Sequence, residues 1–191
     1  MMKVLAINGS PRVNGNTYLG LKTVLEELEQ EGIETELVQL GGRKVFGCLA
    51  CNKCFQNQDK RCARTDDEMN FFIEKMIEAD GIIIGSPVYF SNVSTEVKAL
   101  IDRCGYVAKA NNDMLAKKAG AAVVAVRRAG ATFTYSAINF FFGISQMIIP
   151  SSSYWNMGLG RQPGDILNDE EGIRTLQNLG KNMAWLLKKI G

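Results

Sequence analysis

Short, unbroken apolar runs separated by amphipathic stretches constrain this chain more than any other feature. Lys3 to Ile7, Gly81 to Gly85 (GIIIG) and Ala121 to Val126 each suffice for one strand, and none shows a polar face. A strand apolar on both faces must be covered on both, as in parallel sheets flanked by helices. Between these runs the period changes to that of a helix. Asn16 to Glu31 carries Leu19, Val24, Leu25 and Leu28 as one stripe and meets a stop at Gly32. Thr35 to Leu40 alternates as a second strand. Thr65-Asp66-Asp67-Glu68 has the form of a capping box and is predicted to open a helix reaching about Ala79. Ser94 is predicted to cap a helix running to Arg103, and Thr132 to Gln146 is predicted helical. Met147 to Ser151 is predicted as a short fifth strand, and Glu170 to Ile190 as a closing amphipathic helix.

Strands alternating with helices imply an α/β fold, a three-layer doubly wound sheet of five parallel strands joined by right-handed crossovers. One core suffices for 191 residues, so a single domain over residues 1–191 is expected, with a cysteine-rich insertion at about 41–64. Ligands of such sheets bind at the carboxyl ends of the strands, near the point where strand order reverses. The loops after the first, third and fourth strands are therefore the ones to inspect.

Composition removes several function classes. Lysine plus arginine exceed aspartate plus glutamate by 22 − 20 = 2, which points to neither nucleic acid nor an acidic surface. The chain has no histidine, which excludes imidazole acid–base catalysis and Cys2His2 zinc sites. The opening MMKVLAINGS has too short an apolar run for a signal peptide. Ile138 to Pro150 is interrupted by Asn139, Ser145 and Gln146, so no membrane span is expected. A cytoplasmic location follows as the expectation, and with it reduced cysteines.

The loop after the first strand reads NGSPRVNGNT, residues 8 to 17, and is neither a dinucleotide fingerprint nor a P-loop. It still suits a phosphate. Gly9 and Gly15 let the backbone turn, Ser10, Asn16 and Thr17 offer neutral donors, Arg12 adds charge, and the next helix aims its N-terminus there. A plain helix-capping loop would use the same residue types. After the third strand, SPVYFSNVS places Pro87, Val88, Tyr89, Phe90 and Asn92 where a flat ligand could pack, although aromatics here could equally fill core. After the fourth, RRAGATF brings Arg127 and Gly130 to the same edge, where an arginine can stabilise negative charge or simply face solvent.

In combination, GSPRVNGNT and SPVYFSNVSTEVKALIDR resemble the NAD(P)H-dependent FMN reductase family of the flavodoxin-like superfamily, over about Lys3 to Arg128. The resemblance implies that Ser10, Arg12, Asn16 and Thr17 hold the FMN phosphate. It also implies that Pro87, Val88, Tyr89, Phe90 and Asn92 line the isoalloxazine ring, with Arg127 to Gly130 closing the pocket.

Cys48, Cys51 and Cys54 stand three apart, and Cys62 follows after seven intervening residues. Four thiolates so close in sequence can wrap one polynuclear centre, whereas zinc more often takes two separated pairs. Idle or redox-active thiols remain an alternative, as does zinc. The spacing is not that of a bacterial ferredoxin, whose fourth cysteine follows after three residues and precedes a proline. It resembles the compact pattern of iron–sulfur flavoproteins, an FMN-binding branch of the same superfamily, which implies a [4Fe-4S] cluster on these four residues. Lys53, Lys60, Arg61 and Arg64 could temper its charge. Cys104 reads as an ordinary buried thiol.

The expected function is FMN-dependent electron transfer. The donor would be reduced nicotinamide or ferredoxin, and the acceptor a quinone, free flavin or oxygen. The rival readings are a flavodoxin-type electron carrier and a cysteine-based redox-sensing module. Phe140, Phe141 and Phe142 are consecutive and so face well apart on a helix, which suggests a homodimer or homotetramer covering part of that segment.

Overall fold

The computed structural model describes residues 2–191. Five strands, β1 (Lys3–Asn8), β2 (Glu34–Gln39), β3 (Gly81–Pro87), β4 (Ala119–Val126) and β5 (Met157–Leu159), form one sheet in the order β2-β1-β3-β4-β5. All four pairings are parallel. The helices are α1 (Asn16–Gln30), α2 (Lys53–Asn57), α3 (Met69–Glu78), α4 (Thr95–Ala110), α5 (Ala131–Ile144) and α6 (Glu170–Ile190). The chain winds outward from β1 in both directions, so the strand order reverses between β1 and β3. This is the flavodoxin-like order of doubly wound sheets, with its crevice at that reversal.

Period-2 geometry sorts the core into two layers. Val4 and Ala6 of β1, with Ile83 and Val123, pack against Leu21, Val24 and Leu28 of α1 and Leu176, Leu179 and Met183 of α6. Leu5 and Ile7, with Ile82 and Ile84, pack on the opposite face against α3, α4 and α5 through Phe72, Leu100 and Phe142. Gly32 takes φ +76°, the left-handed stop expected after α1. Ser94 caps α4 as expected: its Oγ accepts from Val97 N–H at 3.5 Å and donates to Gly9 O at 2.8 Å.

Three expectations need correction. The fifth strand is Met157–Leu159, not Met147 to Ser151. Residue 148 makes a single bridge to the start of β4, and Pro150 then removes the donor a longer ladder requires. The Thr65–Glu68 capping box does not form: α3 starts at Met69 with Glu68 as its uncapped N-cap, and Glu68 N–H donates to Lys44 O at 3.0 Å. Of the side chains in the box only Asp67 reaches the helix, accepting from Met69 N–H at 3.2 Å. Asp67 accepts from Phe46 N–H at 2.8 Å and Glu68 from Lys44 N–H at 3.3 Å. Finally, α4 runs on past Arg103 to Ala110.

Of the three consecutive phenylalanines, Phe141 and Phe142 are buried and Phe140 is 75% exposed. Among the described residues, no helix is long and apolar enough to cross a membrane.

Candidate functional site

The carboxyl end of β1 is built for close approach. Gly9 N–H donates to Gly85 O at 2.8 Å, and a Cβ at residue 9 would lie 2.2 Å from Val97 Cγ2, so nothing larger than glycine fits. Asn8 and Gln39, at the ends of β1 and β2, lock the turn. Asn8 Nδ2 donates to Gln39 Oε1 at 2.7 Å, Asn8 Oδ1 accepts from Ser10 N–H at 3.1 Å, and Gln39 Nε2 donates to Ser10 O at 2.6 Å. Helix α1 then begins from Gly15, and no side chain caps it. Its first-turn N–H groups are thus left for an outside acceptor.

These elements frame a cleft of about 180 Å³. Eight of the predicted residues line it: Ser10, Arg12, Asn16, Thr17, Pro87, Val88, Tyr89 and Arg127. Ser10 and Thr17 are buried beneath it, at 5% and 2% exposure. Asn16 is committed elsewhere as well. Its Nδ2 donates to Gln162 O at 2.9 Å, and its Oδ1 accepts from Gly164 N–H at 2.9 Å and Ile166 N–H at 3.4 Å. It therefore ties the segment after β5 to the cleft.

Three predicted residues lie outside the cleft lining. Tyr89 and Asn92 close a tight turn by two backbone hydrogen bonds, of 2.9 and 3.0 Å, which throws Phe90 fully into solvent at φ +48°. Asn92 Oδ1 accepts from the next backbone N–H at 2.8 Å. Gly130, at φ +87°, packs against Ser91 and Val88 behind the turn. Sequence reasoning missed Gly160 and Arg161, which follow β5 and complete the wall. Placing the last strand at 147–151 hid them, because only the true β5 delivers its exit to this edge. Arg12, Arg127 and Arg161 line the cleft, and no carboxylate does. Buried hydroxyls, unpaired helix N–H groups and three guanidiniums make a donor set that fits a phosphate such as that of FMN.

The four cysteines border a second cavity, on the loop between β2 and α3. Cys48 and Cys51 are exposed, Cys54 is buried and Cys62 is half-buried. Left-handed backbone at Ala50 (φ 51°), Asn52 (φ 55°), Gln58 (φ 50°) and Lys60 (φ 61°) curls the loop around the thiols. Ala50 N–H points at Cys48 Sγ, 3.4 Å away. Burial pushes the Cys54 thiol up, and the neighbouring Cys62 and Cys51 add to that.

Arg103, which the sequence left as a helix end, is the principal cation here. Its Nε donates to Cys62 Sγ at 3.3 Å, its Nη1 to Phe46 O at 3.1 Å and to Asp67, and its Nη2 to Arg64 O at 3.0 Å. Two of the four cations expected to temper the thiols are engaged with carboxylates. Arg61 pairs with Glu74, while Arg64, on the cavity wall, pairs with Asp66 at 2.8 Å and stacks over Phe46. Among the described residues, no three Cys, Asp or Glu side chains are grouped to hold a metal ion. The thiols are thus not drawn to a common point, but four of them around one cavity, with N–H and guanidinium donors directed at sulfur, have the donor chemistry of a polynuclear centre.

Comparison with known proteins bears on family and fold. Residues 2–162 match the family described as NADPH-dependent FMN reductase. An iron–sulfur flavoprotein of Methanocaldococcus jannaschii is 41% identical over 195 residues, covering 99% of this chain and 99% of its own. One from Methanosarcina thermophila is 32% identical over 191 residues, covering 99% and 97%. Among solved structures, RosB with bound 8-demethyl-8-formylriboflavin-5'-phosphate superimposes with a TM-score of 0.77 at 20% identity, over 100% of this chain and 80% of that one. An archaeal flavodoxin gives 0.62 at 13% identity, over 98% and 99%. At such identities these two structures speak for the fold alone.

Proposed function

The chain belongs to the NADPH-dependent FMN reductase family, in its branch of iron–sulfur flavoproteins, and from that premise we propose that it is a cytoplasmic single-domain enzyme carrying electrons from NAD(P)H or ferredoxin to a quinone, free flavin or oxygen. FMN would occupy the cleft at the end of β1, and Cys48, Cys51, Cys54 and Cys62 would hold a [4Fe-4S] cluster. The observation that carries this reading is the bordering of one cavity by all four thiols, on a loop that leaves the sheet against the cleft. Gly41, where that loop begins, packs so tightly on Ser10 that a Cβ there would lie 2.2 Å from the Ser10 carbonyl carbon.

Bound flavin would supply the conversion between two-electron and one-electron transfer. The residues of the chain would bind and orient. Ser10, Thr17 and the first turn of α1 receive the phosphate, with Arg12 and Arg161 adding charge at its mouth. Asn16 holds the segment that carries Arg161. Pro87, Val88 and Tyr89 give the ring a wall, Phe90 and Asn92 shape the turn beside it, and Gly130 backs that turn. Arg127 is placed to stabilise negative charge at the ring edge. No side chain need act as a covalent nucleophile.

The test is iron and acid-labile sulfide per chain after anaerobic reconstitution, with stopped-flow bleaching of bound flavin. About four of each per chain is expected, the stoichiometry of the cube. At least one of NADH, NADPH and reduced ferredoxin should bleach the flavin faster than in a boiled control. Four titratable thiols and no metal would reduce the reading to a plain FMN reductase, and no bleaching by any donor would remove the enzyme.

A further inference from the structure

Cys62 is held differently from the other three cysteines. Its backbone is clamped by Asn70, whose Oδ1 accepts from Cys62 N–H at 2.8 Å and whose Nδ2 donates to Cys62 O at 2.9 Å. Its Sγ accepts from Arg103 Nε at 3.3 Å. The Arg103 side chain is 0% exposed, and its other N–H groups are fixed by Asp67, Phe46 O and Arg64 O. A buried ion pair of this kind contributes little net stability compared with apolar residues of the same shape. Its guanidinium, however, meets a sulfur directly.

We propose that Arg103 is a positioning residue for the iron–sulfur centre: it orients Cys62 Sγ as a ligand and favours the reduced cluster, while Asp67 sets how much positive charge that sulfur experiences. The proposal rests on the reading that the four cysteines hold a cluster. Reduction adds one electron to the cluster and makes or breaks no bond, so negative charge on its sulfurs grows. Hydrogen bonds to those sulfurs are one of the levers that set the potential, and a donor held in a low-dielectric interior acts strongly. The Asp67 carboxylate opposes this by cancelling part of the guanidinium field. The two residues should therefore pull the potential in opposite directions.

Wild-type, Arg103→Lys and Asp67→Asn proteins would be reconstituted anaerobically with iron and sulfide. They would then be titrated with dithionite through redox mediators, with the reduced cluster followed by electron paramagnetic resonance. Arg103→Lys keeps a cation beside Asp67 but loses the Nε donor. Its midpoint should fall by an amount equivalent to about tenfold in the reduction equilibrium, or about 59 mV for one electron. Its iron should also pass to a chelator several-fold faster. Asp67→Asn should raise the midpoint, and both variants should bind FMN as wild type does. Equal midpoints in three loaded proteins would overturn the proposal and leave Arg103 a structural residue. A wild-type protein that takes up no cluster would instead overturn the functional reading, and this proposal with it. Where Arg103→Lys fails to fold by circular dichroism, Asp67→Asn decides alone, and an unmoved or lowered midpoint counts against us.

Discussion

Arg103 on α4 and Asp67 at the entrance to α3 form an ion pair in which neither side chain is exposed to solvent. Burial pushes the Asp67 carboxyl up, but hydrogen bonds from Arg103 and from the N–H groups of Phe46 and Met69 outweigh it and hold it below the ordinary carboxylate range. Removing one partner strands the other. Arg103→Ala should cost about 3–5 kcal/mol in urea unfolding, whereas Arg103→Met combined with Asp67→Leu should cost far less. Because the folded pKa is depressed, the contribution of Asp67 is fully present above about pH 4 and is lost as pH falls through the folded value. Asp67→Asn should accordingly flatten the acid limb of stability against pH. An unchanged limb would show that other carboxylates govern it.

The cleft makes a separable prediction. Ser10→Ala with Thr17→Ala removes two donors without touching the sheet, so FMN binding to the apoprotein should weaken by about 1.5–3 kcal/mol for each. Asn16→Ala should behave differently, lowering affinity and unfolding stability together, because its amide also anchors residues 162 to 166. Calorimetric titration alongside urea unfolding separates the two classes. Equal affinity in the double variant would place the phosphate elsewhere.

Thiol chemistry should grade the cysteines. In metal-free, reduced protein, Cys48 and Cys51 are exposed and should alkylate first. Complete burial pushes the Cys104 thiol up to about 12, so it should stay unmodified at pH 8 until denaturant is added. Mass-mapped alkylation reads this directly, and early modification of Cys104 would contradict its burial.

Phe140 and Ile144 share one side of α5 and are 75% and 69% exposed, bordering an apolar groove that also takes in Phe55 and Tyr106. We expect a homodimer or homotetramer built on that face. Phe140→Glu with Ile144→Glu should then shift the mass by light scattering toward a monomer. A monomeric mass for the unsubstituted protein at micromolar concentration would reject the assembly.

Much of this architecture was legible because β1, β3 and β4 are apolar on both faces, a condition only a covered parallel sheet satisfies. The loops they deliver to one edge could be named from their turn residues. Two things were hidden. Met157–Leu159 is three residues long with glycine at its centre, and it is a strand only because β4 offers it Val124 to Val126 to pair with. That partner is invisible to any local pattern. Arg103 looked like a charged helix end because its acceptors, Cys62 and Asp67, lie 41 and 36 residues earlier in the chain. Burial of a cation is a property of distant partners, and no local window contains them.

The tether from Asn16 to Gln162, Gly164 and Ile166 joins residues separated by 146, 148 and 150 positions. It imposes an order on biosynthesis. Every residue that frames the cysteine cavity, through Val107, has been translated before β5 exists. The residues around the cysteine cavity are therefore all present while the chain is still being made, whereas the cleft lacks Gly160 and Arg161 until β5 has followed. Cofactor capture by stalled ribosome-bound chains of increasing length would expose that order.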